Sequence, residues 1–129
     1  MSFYLGKNSR ANLYGVNAEL FQIVELALTI TKVDFGIPRD GGLRTAERQK
    51  ELFLNKKSML DGYSKKSMHQ RGKAFDVFAY VNGKASWEEK YLTHVATAVL
   101  CAASQLKVPL IWGGHWHNFV DMPHFEIKR

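Results

Sequence analysis

Two long segments of the chain repeat apolar residues at helical spacing. The first begins after Asn17, a candidate N-cap, and runs to about Thr31, with an apolar stripe of Leu20, Ile23, Val24, Ala27 and Ile30. The second covers about residues 87–107, and Ser86 with Glu89 forms an S-x-x-E capping box at its start. Its inward stripe is Leu92, Val95, Ala96, Val99, Leu100 and Ala103, and Pro109 ends the helix.

Shorter elements are predicted between and after these helices. A third helix starts after Thr45, ends near Asn55 and buries Leu52 and Phe53. Strands are expected at "KVDFGI", "KAFDVFAYV", "PLIW" and "HFEIK", with turns at "PRDGG" and at the Asn-Gly sequence of "NGK". Helices and strands are interspersed without regular βαβ spacing, which predicts an α+β fold.

The composition is that of an ordinary globular domain, with 129 residues, 46% hydrophobic and 23% charged. The single cysteine, Cys101, excludes an intramolecular disulfide and a cysteine-based zinc knuckle. A net charge of +6 indicates an anionic partner: nucleic acid, an acidic membrane surface or an anionic wall polymer. Nucleic acid is disfavoured because the lysines at 56, 57, 65 and 66 cluster in a loop and the aromatic residues are expected to be buried.

The N-terminal residues "MSFYLGKNSR" lack the apolar segment of a secretory signal peptide. The longest apolar stretch, "LFQIVELALTI", is interrupted by Gln22 and Glu25 and is too short to span a bilayer. We therefore expect a protein made in a cytoplasm, without an export route of its own and without stable membrane insertion.

An aspartate in an apolar strand is the first sign of chemistry. Asp76 lies between Phe75 and Val77, where an unneutralised carboxylate is costly. His69 lies seven residues upstream beyond a glycine-containing turn, and "DMPHFE" supplies His124. Two imidazoles and one carboxylate are the ligand set of many catalytic zinc sites, so we predict that a divalent cation neutralises Asp76.

Two further residues are candidates for catalysis at such a centre. Asp121 precedes His124 by three residues, and Pro123 stiffens the short link, so Asp121 can serve as the base for an attacking water. Arg44, in "GGLRTAERQ", is the candidate to stabilise an oxyanion.

The motifs "SMHQRGKAFD", "GLRTAERQ", "WGG" and "FVDMPHFE", with the N-terminal "LYGVNAELFQIVELA", together resemble one family over nearly the whole chain. It is the family of zinc peptidases that cut peptidoglycan stem peptides, and the first motif matches its S-x-H-x-x-G-x-A-x-D pattern. The family includes D-alanyl-D-alanine carboxypeptidases and the L-alanyl-D-glutamate peptidases of phage endolysins, and the chain looks closer to the latter. The resemblance implies a hedgehog/D,D-peptidase-like fold, a small antiparallel sheet with helices packed against it.

The resemblance also implies roles for individual residues. His69, Asp76 and His124 match the ligands of Zn²⁺, and Asp121 matches the acidic catalytic residue. Arg44 matches the arginine that holds the substrate carbonyl and the tetrahedral intermediate.

Three residues are expected around this centre. Ser67 matches the motif serine, which would contact the substrate or support the ligands. Glu126 alternates with His124 on a strand, so it either orients that ligand or is a simple edge-strand carboxylate. His115 stands after "WGG", where relatives often carry an acidic residue, and this changes the shape or charge of the cleft rim.

Each assignment has a simpler structural alternative. His69 and Asp76 could form a buried hydrogen-bonded pair without metal, Asp121 could only cap a turn, and Arg44 could form a surface salt bridge. His115 and His117 form an H-x-H pair that could bind metal, although the surrounding aromatic residues favour a cleft wall or a packing cluster: Trp112, Trp116 and Phe119.

We therefore expect residues 1–129 to form a single zinc peptidase domain with no separate wall-binding domain, active as a monomer on peptidoglycan stem peptides. As a phage endolysin it would wait in the host cytoplasm until another protein opens the membrane. The alternatives are a D-alanyl-D-alanine carboxypeptidase and a non-catalytic, zinc-bearing binding module.

Overall fold

The computed structural model describes residues 2–129, which form four α-helices and six short strands. The helices are α1 (Lys7–Asn12), α2 (Ala18–Ile30), α3 (Ala46–Leu54) and α4 (Glu89–Gln105). The strands are β1 (Phe35–Gly36), β2 (Ala74–Asp76), β3 (Phe78–Val81), β4 (Lys84–Ser86), β5 (Leu110–Trp112) and β6 (His124–Ile127). The predicted α+β class is confirmed, and the strands form two antiparallel sheets, ordered β1-β3-β4 and β2-β6-β5.

The segment predicted as one strand over residues 73–81 is divided at Val77 between the two sheets. Before Val77, β2 pairs with β6; after it, β3 pairs with β1 and β4. Val77 is fully buried, and its N–H donates to the carbonyl of Pro123 at 3.0 Å, outside the regular ladders. The division leaves Asp76 as the last residue of β2, at the edge of the second sheet.

The predicted Asn-Gly turn connects β3 to β4. Asn82 and Gly83 have φ angles of 52° and 79°, as a tight hairpin turn of this type requires. The predicted turn at "NGK" is confirmed, whereas the strand that follows it, β4, was not predicted.

Packing of α2 against α4 forms the centre of the hydrophobic core. The predicted stripes are mostly buried, but Ile30 is 41% exposed and Leu28 is 1% exposed. The two residues lie at opposite margins of the α2 stripe, and the direction from which α4 packs decides which one is covered. The assignment of Ile30 to the core was therefore wrong.

Helix α4 begins later than its predicted capping box. Ser86 is the last residue of β4, and its Oγ accepts from the N–H of Glu88, which is itself the N-cap. The predicted capping box is therefore wrong, because Ser86 belongs to the hairpin.

Helix α3 is capped as expected but turns a different face inward. The Thr45 hydroxyl accepts from the N–H of Arg48, whereas Phe53 is 41% exposed and Leu52 is only half-buried. The fully buried residue of α3 is Gln49. The expectation that α3 buries Phe53 was wrong, because a polar network rather than an apolar contact anchors this helix.

The short helix α1 was not predicted. Within residues 2–129, none of the helices combines the length and the apolar character needed to cross a membrane.

The contrast between Leu28 and Ile30 can be tested directly. We expect Leu28→Ala to lower the free energy of unfolding by about 2–5 kcal/mol because it leaves a cavity in the core. Ile30→Ala should change it by about 0.5 kcal/mol or less, since much of that side chain is already in water. Urea denaturation followed by circular dichroism measures both, and equal effects would contradict this packing.

Candidate metal centre and active-site cleft

Two adjacent strands and one turn bring three potential ligands together. In the antiparallel pairing of β2 with β6, Asp76 lies directly opposite His124. His69 comes from the turn before β2, closed by bonds from the N–H of Lys73 to Met68 and from that of Gly72 to His69. Gly72 has a φ of +69°, a backbone conformation that suits glycine.

The distances within this group fit a tetrahedral metal ion. His69 Nε2 lies 3.2 Å from His124 Nδ1 and 3.3 Å from Asp76 Oδ1, and His124 Nδ1 lies 3.1 Å from that same oxygen. Corners of a tetrahedron with metal–ligand bonds of about 2.0–2.1 Å are separated by about 3.3 Å. Among residues 2–129 this is the one cluster of histidine, cysteine or acidic residues that converges in this way. The group could hold a metal ion.

The outer nitrogens of both imidazoles have fixed partners. His69 Nδ1 lies 2.9 Å from the carbonyl oxygen of Gly42. Because a carbonyl oxygen can only accept a hydrogen bond, Nδ1 carries the proton and Nε2 has a free lone pair. His124 Nε2 lies 2.9 Å from Oε1 of Glu126, a carboxylate that is itself buried. Such partners orient the ligand rings and increase their basicity.

Charges within the group are strongly coupled. Burial opposes ionisation of His124, but its hydrogen bonds with Asp76 and Glu126 outweigh that effect and raise its pKa to about 9. Burial also opposes ionisation of Asp76, but the hydrogen bond from His124 acts against that effect, and the pKa of Asp76 lies well below the usual range. Asp76 is therefore a carboxylate at neutral pH.

Arg44 lies beside the group and is bonded through all three of its nitrogens. Nη2 donates to Asp76 Oδ2 at 3.2 Å, Nε to the carbonyl of Asp40 at 3.0 Å, and Nη1 to Gln49 Oε1 at 3.1 Å. Burial lowers the pKa of Arg44 and Asp76 opposes this effect, but an arginine remains charged. Asp76 is thus matched by the guanidinium of Arg44, a partner that the sequence analysis did not assign to it.

Asp121 faces the same group from the link before β6. Burial is the largest cause that raises the pKa of Asp121 above its ordinary value, and repulsion from Asp76 is the next. The raised pKa makes Asp121 a better proton acceptor than an exposed aspartate. Its N–H donates to the carbonyl of Gly113 at 3.0 Å, and a Cβ on Gly113 would overlap the Asp121 backbone. The first glycine after Trp112 therefore allows the two segments to approach closely.

The candidate ligands lie at the wall of a cleft of about 320 Å³, which Arg44 and Asp121 also line. Its walls include Trp116, whose ring centroid lies 5.3 Å from that of His124, and Phe119. Ser67 also lines the cleft; it is buried, and its hydroxyl accepts from the N–H of Gln70 at 3.3 Å, within the turn that carries His69.

His115 and His117 do not join the cluster. His115 is exposed, packs edge-on against Trp112 at 4.9 Å between ring centroids, and is not among the residues that line the cleft. His117 is exposed as well. The structure therefore places the H-x-H pair apart from the group formed by His69, Asp76 and His124.

Gln49 was not identified from the sequence. It accepts from Arg44, and its Nε2 donates to the Ser58 hydroxyl at 2.7 Å and to the carbonyl of Leu60 at 2.9 Å. It thereby joins Arg44 to the loop that forms one cleft wall. A signal was present, because Gln49 lies four residues after the Thr45 cap, on the face that apolar spacing would assign to the interior.

We expect Gln49→Leu to lower the free energy of unfolding by about 1–3 kcal/mol, because it leaves buried polar groups without partners. Trypsin should also cut faster at the lysines of residues 56–66, since the loop loses its two anchors. Gln105→Leu, at an exposed glutamine of α4, is the matched control and should show neither effect. An unchanged proteolysis rate for Gln49→Leu would contradict the anchoring role.

Known proteins resemble the chain in both sequence and fold. The chain is 36% identical over 130 residues to the L-alanyl-D-glutamate peptidase of Escherichia phage T5, covering 100% of this chain and 92% of that protein. The crystal structure of the Serratia marcescens L-Ala D-Glu endopeptidase ChiX superposes with a TM-score of 0.86 and 34% identity. The match covers 98% of this chain and 91% of the other.

The model of the family described as phage L-alanyl-D-glutamate peptidase matches residues 1–129, the full length of the chain. The resemblance identified from the motifs is thus confirmed, and the protein belongs to the phage L-alanyl-D-glutamate peptidase family.

Proposed function

We propose that the protein is a zinc endopeptidase of phage origin that hydrolyses the L-alanyl-D-glutamate bond of peptidoglycan stem peptides. The observation that carries this proposal is the convergence of His69 Nε2, Asp76 Oδ1 and His124 Nδ1, spaced 3.1–3.3 Å apart, beside the cleft lined by Asp121. The activity named for the phage T5 and Serratia relatives supports the choice of substrate.

The donor set suits Zn²⁺, which prefers imidazole nitrogen and carboxylate oxygen in a four-coordinate site with one open position. His69, Asp76 and His124 would hold the ion. When bound, it supplies a Lewis acid that polarises the scissile carbonyl and lowers the pKa of water. The remaining steps belong to side chains of the protein.

Asp121 is the proposed general base and acid. Its carboxylate accepts a proton from the attacking water while the water oxygen bonds to the alanyl carbonyl carbon. It then passes that proton to the glutamate nitrogen as the C–N bond breaks, so that a carboxylic acid and an amine leave the cleft. Its raised pKa suits it to both steps.

Arg44 is the proposed partner of the developing oxyanion. It lines the cleft, and three of its five N–H groups are engaged, which leaves two donors available to the substrate oxygen. Its bond to Asp76 also makes it a positioning residue for that ligand.

Digestion of purified Gram-negative sacculi with the zinc-loaded protein tests the activity. We expect mass spectrometry to show stem peptides cut between L-alanine and D-glutamate. Asp121→Asn should lower kcat by about 10²–10⁴-fold, the usual contribution of a general base, while zinc content is unchanged. Removal of only the terminal D-alanine would assign the protein to the carboxypeptidases. Zinc binding without any cleavage would leave a binding module and contradict the mechanism.

The role of Glu126 can be measured without activity. Because its carboxylate holds the outer nitrogen of His124, we expect Glu126→Gln to weaken zinc binding by about 10–100-fold. Competition with a chromophoric chelator measures the dissociation constant. Glu89→Gln, at an exposed position of α4, is the matched control. Equal affinities for the two variants would show that Glu126 is only a structural carboxylate.

We also propose that one chain is the active unit, because all the residues of the proposed mechanism come from a single chain. Accumulation in the host cytoplasm, followed by release when another protein opens the membrane, completes the proposal and rests on analogy with phage members of the family.

A further inference from the structure

One hydroxyl at the wall of the cleft has no role in the proposed mechanism. Ser58 lies in the loop after α3, is half-buried and lines the cleft together with Arg44 and Asp121. Its Oγ accepts from Nε2 of Gln49 at 2.7 Å and from the N–H of Leu60 at 3.2 Å. A serine hydroxyl has two acceptor lone pairs and one proton, so both lone pairs of Ser58 are occupied.

The orientation of the Gln49 amide fixes this assignment. Arg44 Nη1 can only donate, and it lies 3.1 Å from Oε1 of Gln49. The carbonyl oxygen of Leu60 can only accept, and it lies 2.9 Å from Nε2 of Gln49. The fully buried amide therefore has one satisfactory orientation, in which Nε2 faces Ser58 as a donor.

The proton of the Ser58 hydroxyl is the part that stays available. Within residues 2–129, both hydrogen bonds of this hydroxyl are bonds that it accepts, and none is one that it donates. Since these two bonds occupy two tetrahedral directions of the oxygen, the third is left to the O–H. Ser58 can therefore donate to a molecule in the cleft but has no lone pair left with which to accept from one.

A cation stands at the start of the chain of hydrogen bonds that ends at Ser58. The bond from Arg44 polarises the Gln49 amide, which makes its N–H a stronger donor, and the two bonds that Ser58 accepts strengthen its own O–H in the same way. Three hydrogen bonds, at 3.2, 3.1 and 2.7 Å, connect Asp76 to Ser58 along this chain. The Ser58 hydroxyl thus belongs to the same network as the candidate metal centre.

The substrate of the proposed reaction offers the matching group. Every residue of a stem peptide carries a backbone carbonyl, whose oxygen can only accept hydrogen bonds. Ser58, Asp121 and the candidate ligands line the same cleft of about 320 Å³. A stem peptide that fills this cleft therefore contacts Ser58 as well as the metal centre, and it brings carbonyl oxygens to a hydroxyl that can only donate.

We propose that Ser58 is a substrate-binding residue, whose hydroxyl donates a hydrogen bond to a backbone carbonyl of the stem peptide. This inference rests on the proposed function and deepens it, because it assigns recognition of the peptide backbone to the loop that Gln49 anchors. It also gives a reason for a fully buried polar residue on α3, since the Gln49 amide orients both Arg44 and Ser58.

Binding is measured in the zinc-loaded Asp121→Asn protein, in which cleavage is slow. Isothermal titration calorimetry with a synthetic stem peptide that contains the L-alanyl-D-glutamate bond gives the dissociation constant. We expect Ser58→Ala to raise it by about three- to tenfold, the effect of one neutral hydrogen bond. Ser58→Thr keeps the hydroxyl and should bind nearly as tightly as the parent protein. With Asp121 restored, Ser58→Ala should raise KM and leave kcat nearly unchanged, since the contact is the same in the ground state and the transition state.

Asp61→Ala is the matched control for loosening of the loop. The Asp61 carboxylate accepts from the N–H of Lys65 at 2.8 Å and from the Ser64 hydroxyl at 2.6 Å, and Asp61 is not among the residues that line the cleft. This variant should increase the rate at which trypsin cuts the loop, because those turn bonds are lost. It should leave the dissociation constant of the peptide unchanged.

The results that would overturn the proposal are distinguishable from a failure of the proposed function. If Ser58→Ala binds the peptide as tightly as the parent protein, Ser58 does not contact the substrate, although the proposed activity stands. The same conclusion follows if Asp61→Ala or Ser58→Thr weakens binding as much as Ser58→Ala does, because loop order and not the hydroxyl is then responsible. If the zinc-loaded wild type cuts neither the peptide nor sacculi at this bond, the proposed function fails and the inference fails with it.

Discussion

The carboxylate of Asp76 is the constraint on which the rest of the site depends. A charge at the boundary of the core must be matched, and here two imidazoles share one of its oxygens while the guanidinium of Arg44 binds the other. Each of these partners is in turn held by a further group: a backbone carbonyl, Glu126 or Gln49. The centre is thus ordered by successive layers of hydrogen bonds, which is the arrangement that a bound metal ion requires.

The division of one apolar segment between two sheets makes this arrangement possible. Because the chain leaves the second sheet at Val77, Asp76 is at a strand end, where the cleft can reach it. An unbroken strand would have continued the ladder past this position. The close approach of Gly113 to the backbone of Asp121 places the candidate base at the same edge. The geometry of the candidate site is a consequence of where β-pairing stops.

Charge outside the centre is distributed unevenly. The acidic side chains near the cleft are used internally, by the imidazoles and by arginine, whereas the exposed side chains of Lys66, Lys73 and Lys128 form no salt bridge within residues 2–129. This separation leaves an excess of positive charge at the end of the second sheet that lies away from Asp76 and His124.

The sequence by itself determined the family, the α+β class, the turn at Asn82 and the residues that would form the metal centre, because these follow from motif patterns and local turn chemistry. Tertiary structure alone decided which margin of α2 is buried, the division at Val77, the anchoring role of Gln49 and the position of His115 outside the cleft. The physical reason is that these features depend on contacts between residues distant in the chain, and local periodicity carries no information about the direction from which a neighbouring element packs.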